Sequence, residues 1–357
     1  MLGLRITKRH NALGFEGLII FCISFACALL IGTMLLAIQD KPMFEGIKLL
    51  LLGGFGSLVA LEDTILKAIP LFLCSLGVAV AFRMQIWNIG AEGQFALGAI
   101  GATWFALTFP NAPMYIMLPA MGLCAVIAGG IWCFISGLLL LKFNINEIIS
   151  TLMLNYIGIS FLDYLVYGSW KDPGGFGFPM TAIFPDNAIM PILFSRIHLG
   201  IVICIILATA LMIFLRYTRL GFELMVSGEN PQAAKSARMP YNFLVLFVMF
   251  ISGALVGIAG AIEASATLNR LQPSIIVGYG YTAIVVAWLS RLKILSIGFY
   301  AIFLAGLRVG VENLQIDLGV PASFAGILEG TILLTMLAGQ FFNHYSFQRT
   351  QKTRHKL

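Results

Sequence analysis

Helix-length stretches of mainly apolar residues recur along the whole chain, and they constrain its fold more than any motif does. They fall near residues 17–38, 65–82, 88–108, 114–141, 147–167, 198–215, 242–262, 276–289, 294–311 and 321–342. An α-helix needs roughly 20 such residues to cross the hydrocarbon core of a bilayer. Within that core the backbone must satisfy its own hydrogen bonds, which leaves only helices and closed barrels. The runs are continuous rather than alternating segments of about ten residues, so a β-barrel is disfavoured. Of the 357 residues 59% are hydrophobic and 11% charged, against about 25% charged in soluble domains. A water-soluble globule and a disordered chain are both excluded. The expected fold is all-α: a polytopic membrane helical bundle of about ten transmembrane helices, with residues 1–357 forming a single transmembrane domain.

The first run follows Arg5, Lys8 and Arg9, as a signal peptide would. It is longer than an h-region and lacks a small-residue cleavage site, so it is expected to stay as a transmembrane helix. Positively charged residues set orientation. With the N-terminus inside, 15 of the 22 Lys and Arg fall on the cytoplasmic side; Lys41, Lys48, Lys67, Lys171, Arg196, Arg270 and Arg308 fall outside. Both termini are therefore expected in the cytoplasm, with an even number of crossings. Ten crossings divide into five plus five, the arrangement of an inverted repeat. The net charge of +6 is mostly this orientation signal. No soluble basic patch points to nucleic acid, and the cluster at 349–356 is a topological anchor that can touch anionic lipid. Cys22, Cys27, Cys74, Cys124, Cys133 and Cys204 all lie in apolar runs with no C-x-x-C pair, which reads as apolar packing. The expected connections are outer loops at 39–64 and 168–197 and an inner loop at 216–241. The apolar piece at 49–52 is too short to span and suggests a re-entrant or interfacial segment.

Carboxylates within a membrane are expensive and point to function by default. Glu92, Glu147, Glu263 and Glu329 are such residues, with Asn88, Gln94, Asn146 and Asn155 as polar companions. Asn88 and Glu92 are spaced i,i+4 and share a helix face, while Gly90 and Gly93 leave room for a second backbone. Two readings fit equally: a polar lining of a translocation pathway, or hydrogen bonds that brace the bundle. Asn146 and Glu147 suit a helix N-terminus as cap and first-turn anion; Asn155 lies about two turns deeper. H-E-x-x-H, G-x-S-x-G and the Walker A pattern are all absent, so no catalytic residue, metal site or cofactor is expected and the chain is not read as an enzyme. Energy for uphill transport would come from an ion gradient or a partner ATPase.

The inner loop favours the second source. Asn230 followed by Pro231 is a helix start, and Pro240 an end. A helix of about two turns is expected there, with Gly228 breaking the chain ahead of it. Ala233 and Ala237 share a face, with Ala234 beside them, and so offer a small-residue surface to another protein's groove.

These residues resemble a known family. Asn88-Ile89-Gly90-Ala91-Glu92-Gly93-Gln94 matches its N-I-G-A-E-G-Q motif, and residues 146–155 resemble N-E-x-I-x-T-L-M-L-N. Gly228, Asn230, Pro231, Ala233, Ala234 and Ala237 fit G-x-N-P-x-A-A-x-x-A, with Glu229 in the variable place. Ser252-Gly253-Ala254-Leu255 with Gly257, Gly260 and Glu263, and then Gly278-Tyr279-Gly280-Tyr281, complete the series in the family's order. The chain thus resembles permease subunits of bacterial ABC importers in the ribose and branched-chain amino acid permease superfamily, and most of all their nucleoside (simple-sugar-like) subgroup. The resemblance implies a multi-pass protein of the bacterial inner (plasma) membrane. It implies a paralogous permease as the other half of the pathway, a cytoplasmic ABC ATPase that binds the ATP, and an extracytoplasmic substrate-binding protein or lipoprotein. It also implies coupling through the 231–239 helix and a pathway near Asn88, Glu92, Gln94, Glu147, Asn155 and Glu263. Trp104, Trp132, Tyr156 and Trp288 are candidates to stack on a base or ribose. Arg238, Trp288 and Ser290 stand where the family has Gly, Leu and Gly. Alternatives are the same machinery carrying riboflavin or a simple sugar and, less favoured, an ion-coupled secondary transporter.

Overall fold

The computed structural model describes residues 4–8, 14–175, 177–321, 326–327, 330–331, 333–335, 337–339, 341 and 345–349. Glu329 lies outside them. The helices in chain order are α1 (Gly14–Ile38), α2 (Met43–Phe55), α3 (Leu58–Arg83), α4 (Ala91–Thr108), α5 (Met114–Phe143), α6 (Glu147–Tyr167), α7 (Gly200–Tyr217), α8 (Arg219–Glu229), α9 (Pro231–Ser236), α10 (Tyr241–Ile262), α11 (Tyr279–Leu289) and α12 (Ile294–Leu318). The described residues between 326 and 341 are helical as well. Two short ribbons complete the set: β1 (Leu4–Lys8) with β4 (Tyr345–Arg349), and β2 (Ile192–Phe194) with β3 (Ile197–His198), both antiparallel.

Every apolar run holds a helix. Among the described residues six helices are long and apolar enough to cross a membrane: α3, α5, α6, α7, α10 with its extension to Leu268, and α12. Helix α4 falls short on hydropathy because Glu92, Gln94 and its glycines dilute it. The segment 39–64, expected as a connection, is mostly helical. It holds α2, in which residues 49–52 lie, and the first turns of α3. At 13 residues α2 is too short to span.

The chain divides into two units. In the first, residues 1–60 and 307–357, α1 packs on α2 and the Asn313 amide donates to the Gly53 carbonyl at 2.9 Å. In the second, residues 61–306, α4 is the shaft. It packs against α5, α10, α6 and α11, and all but five of its residues are buried. Small residues make this crowding feasible, as at other membrane helix crossings. Gly98 lies directly on the backbone of Gly257 in α10, closer than any side chain permits.

The 168–197 segment is compact and irregular, as its Gly and Pro content suggests. The Thr181 amide bonds the Leu271 carbonyl at 3.0 Å and the Phe184 amide the Asn269 carbonyl at 2.8 Å. The Asn187 side chain donates to the carbonyls of Pro110 and Ala112, and Arg196 pairs with Asp63 at 2.8 Å.

A valine at Gly98 must push α4 and α10 apart, so Gly98→Val is expected to destabilise by about 3 kcal/mol. Gly122→Val enters open space and is expected to change stability by about 0.5 kcal/mol at most. Thermal melting of the detergent-solubilised protein, followed by size exclusion, compares the two.

Candidate functional site

Helix α4 begins in the densest polar cluster of the chain. Asn88, Glu92, Gln94 and Asn155 are at most 1% exposed, so each polar atom there needs a partner. Asn88 and Gln94 meet amide to amide: Asn88 Nδ2 donates to Gln94 Oε1 at 2.9 Å and Gln94 Nε2 to Asn88 Oδ1 at 2.8 Å. Asn88 Nδ2 also donates to Ser252 Oγ on α10 at 2.8 Å, and Oδ1 accepts the Gly90 amide at 3.1 Å. Asn155 on α6 accepts the Gly93 amide and donates to Tyr281 Oη on α11 at 2.6 Å. Thr151 Oγ1 accepts the Ile89 amide at 3.2 Å.

Glu92 closes the cluster. Its Oε1 accepts the Gly278 amide at 2.7 Å and its Oε2 the Gly280 amide at 2.6 Å. Both donors lie at the N-terminus of α11, where free N–H groups and the helix dipole favour an anion. Gly278 has φ +90°, and a Cβ on Gly280 would sit 2.7 Å from the Ala91 carbonyl carbon. The glycine-rich segment is thus shaped to let the α11 backbone reach Glu92. The network joins α4, α6, α10 and α11.

Two of the polar residues singled out in the sequence lie apart from these bonds. Glu147 is half-buried in the first turn of α6, behind Asn146, whose Oδ1 caps the Ile148 amide at 2.8 Å. Glu263 is buried where α10 passes into a wider π turn over Glu263–Leu268, about three turns beyond Ser252. Of the aromatic candidates, Trp132 donates to the Leu154 carbonyl at 3.1 Å and Trp288 stacks on Trp87 with centroids 5.3 Å apart. Trp104 and Tyr156 are exposed. Among the described residues no cluster of His, Cys, Asp and Glu is placed to hold a metal.

The segment 216–241 contains two helices rather than one. Thr218 Oγ1 caps α8 through the Gly221 amide at 3.0 Å. Asn230 Oδ1 caps α9 through the amides of Gln232 and Ala233 at 3.1 and 3.0 Å, with Pro231 in the first position. The expectation that Gly228 breaks the chain is corrected. Gly228 is buried inside α8, where its missing side chain lets the helix rest on the backbone of Arg83 and Met84. The alanine surface also divides. Ala234 is fully buried against its own chain, while Ala233 and Ala237 are exposed. Arg238 adopts φ +57°, a left-handed backbone that glycine takes without strain. Ser290 has φ −76°, so nothing in its backbone calls for glycine.

Sequence comparison places this chain among known proteins. A family model described as a branched-chain amino acid transport system permease component matches residues 60–337. The chain is 32% identical to the glucose ABC transporter permease protein of Haloferax volcanii, over 88% of this chain and 85% of that one. It is 32% identical to a guanosine ABC transporter permease protein of Bacillus subtilis, over 89% of this chain and 92% of that one. A second guanosine ABC transporter permease protein of Bacillus subtilis is 28% identical, over 63% of this chain and 73% of that one.

A glutamine at position 92 keeps one acceptor and sets an N–H₂ against a backbone N–H. Glu92→Gln is therefore expected to lower stability by about 2 kcal/mol. Melting of the purified protein checks this; an unchanged melting temperature would leave Glu92 without a bracing role.

Proposed function

The chain belongs to the permease-component family of branched-chain amino acid transport systems, and from that premise we propose that it is half of an ATP-driven nucleoside importer. It is an integral membrane protein. The observation that carries the ATP-driven reading is α9: a short, doubly capped helix outside the apolar runs, with Ala233 and Ala237 exposed. We assign to it the contact with a partner ATPase that binds and hydrolyses ATP. Helix α8, seated on Arg83 and Met84 through Gly228, fixes α9 to the bundle, so that ATPase closure moves more than a loop. Asn230 alone separates them, between Glu229 at the end of α8 and Pro231 at the start of α9.

The pathway runs between this chain and a paralogous permease. The two guanosine permeases of one bacterium, both similar to this chain, support that pairing and favour a nucleoside as cargo. An equally similar glucose permease supports a second reading, a hexose through the same machinery. An extracytoplasmic binding protein delivers the solute. In this reading Asn88, Glu92, Gln94 and Asn155 are the frame of the pathway, since their polar atoms are turned toward one another. Glu147 and Glu263 stand nearer its two ends. The antiparallel pairing of β1 with β4 supports both termini on one side, hence an even crossing number. No cofactor is assigned to the chain.

Ala237→Glu is expected to abolish uptake of labelled guanosine while the permease remains in the membrane at its normal level. Uptake at the wild-type rate would remove α9 from the coupling role. Ala234→Glu is unsuited to this test because it buries a charge in its own chain. Competition by a panel of nucleosides, glucose and riboflavin identifies the cargo: strong competition by glucose alone would replace the nucleoside reading with the hexose one.

A further inference from the structure

Among the described residues of the second unit lie two cavities of similar size and opposite chemistry. One, about 280 Å³, is walled mainly by apolar side chains such as Leu118, Met121, Met190, Ile203, Leu207 and Ile262. The other, about 270 Å³, lies where the C-terminal end of α4 meets the segment after α6. Trp104, Ser169, Trp170, Lys171 and Asp172 line it. On the charge-derived topology this is the outer face.

We propose that this second cavity is a subsite for a hydroxyl-bearing sugar ring, the pentose of a nucleoside or a free hexose. The inference rests on the importer reading above and adds a place where the permease itself touches the solute. Two indoles line the cavity, and an indole face carries negative π density, against which the weakly positive C–H face of a sugar packs. Around them stand polar groups that have no partner among the described residues: both indole N–H groups, the Ser169 hydroxyl, the Lys171 ammonium and one Asp172 oxygen. A ligand with several hydroxyls can use donors and an acceptor together. The volume lies just below the roughly 300–1,000 Å³ of drug-sized sites, which suits one or two rings.

The walls are held before any ligand arrives. Asp172 Oδ1 accepts the Gly174 amide at 2.9 Å, and the Asp172 amide bonds the Met180 carbonyl at 2.8 Å. The Trp170 amide bonds the Leu165 carbonyl at 2.9 Å, tying the loop to the end of α6. Trp104 stands edge-on to Phe109, with centroids 6.4 Å apart and planes at 86°.

The test uses the complete transporter in lipid nanodiscs without its binding protein. Binding of tritiated guanosine, ribose and glucose is read by scintillation proximity for the wild type and for Trp170→Ala, Trp170→Phe, Asp172→Asn and, in the aliphatic cavity, Ile203→Val. Thermal melting verifies that each variant is folded. Trp170→Ala and Asp172→Asn are expected to weaken binding about tenfold, or about 1.4 kcal/mol each. Trp170→Phe retains most of the affinity, and Ile203→Val binds as the wild type does. Which of the three labels binds tells a nucleoside's pentose from a free hexose. Unchanged binding in both cavity variants would overturn the proposal. So would a wild type that imports nucleosides without saturable binding to the permease. A wild type that binds and imports glucose alone through this cavity supports the subsite and overturns only the nucleoside cargo.

Discussion

A carboxylate with both oxygens bound by backbone N–H groups holds the second unit in register. Glu92 is fully buried, and an isolated charge there would cost several kcal/mol. The amides of Gly278 and Gly280 offset that cost, and α11 gains an anion at its positive end. The bond spans nearly two hundred residues of sequence and fixes where α11 begins. It also demands specific neighbours: a left-handed Gly278 and a Gly280 without a side chain, facing an α4 whose own backbone is accessible. The remaining amide pairs around Asn88 and Asn155 lock α6 and α10 to the same point. A set of polar residues in an apolar bundle thereby becomes a joint of four helices with little surface of its own.

That joint sits near one end of α4, and its other end opens on the tryptophan-lined hollow. Between them Gly98 and Gly101 bring α4 onto the backbones of α10 and α5, while Phe95, Leu97 and Ile100 fill the spaces beside these crossings. Close-packed contacts of this kind transmit displacement with little give. Arg83 donates to the Leu292 carbonyl at 2.6 Å, and α8 rests on the Arg83 backbone. The end of α3 therefore touches both the helix that carries α9 and the turn after α11.

Some of this was legible in the sequence. The apolar runs mark their helices because a bilayer makes length and hydrophobicity sufficient signals. The α9 cap was legible because Asn230 and Pro231 act within three residues of themselves. Helix α2 escaped because Glu45, Lys48 and three glycines interrupt its apolar character, and α8 because Gly221 and Gly228 look like breakers. Both are points of close backbone contact, which only the tertiary structure reveals. The partners of Glu92 could not be read for the same reason. The motifs carrying Glu92 and Gly278–Gly280 are conspicuous separately, but nothing local says that one caps the other. The directions of the hydrogen bonds around Asn88 and Asn155 were not legible either. The split of the alanines, with Ala234 inward and Ala237 outward, likewise depends on how α9 lies on its own chain.

In the proposed importer the Glu92 joint is a fixed frame about which the transporter works. Hydrogen–deuterium exchange of the wild-type complex, followed on a peptide covering residues 276–282 with and without ATP, addresses that directly. The amides of Gly278 and Gly280 should exchange slowly in both states, as buried bonded amides do. Exchange as fast as that of the exposed outer loop, or protection that vanishes when ATP is added, would contradict it.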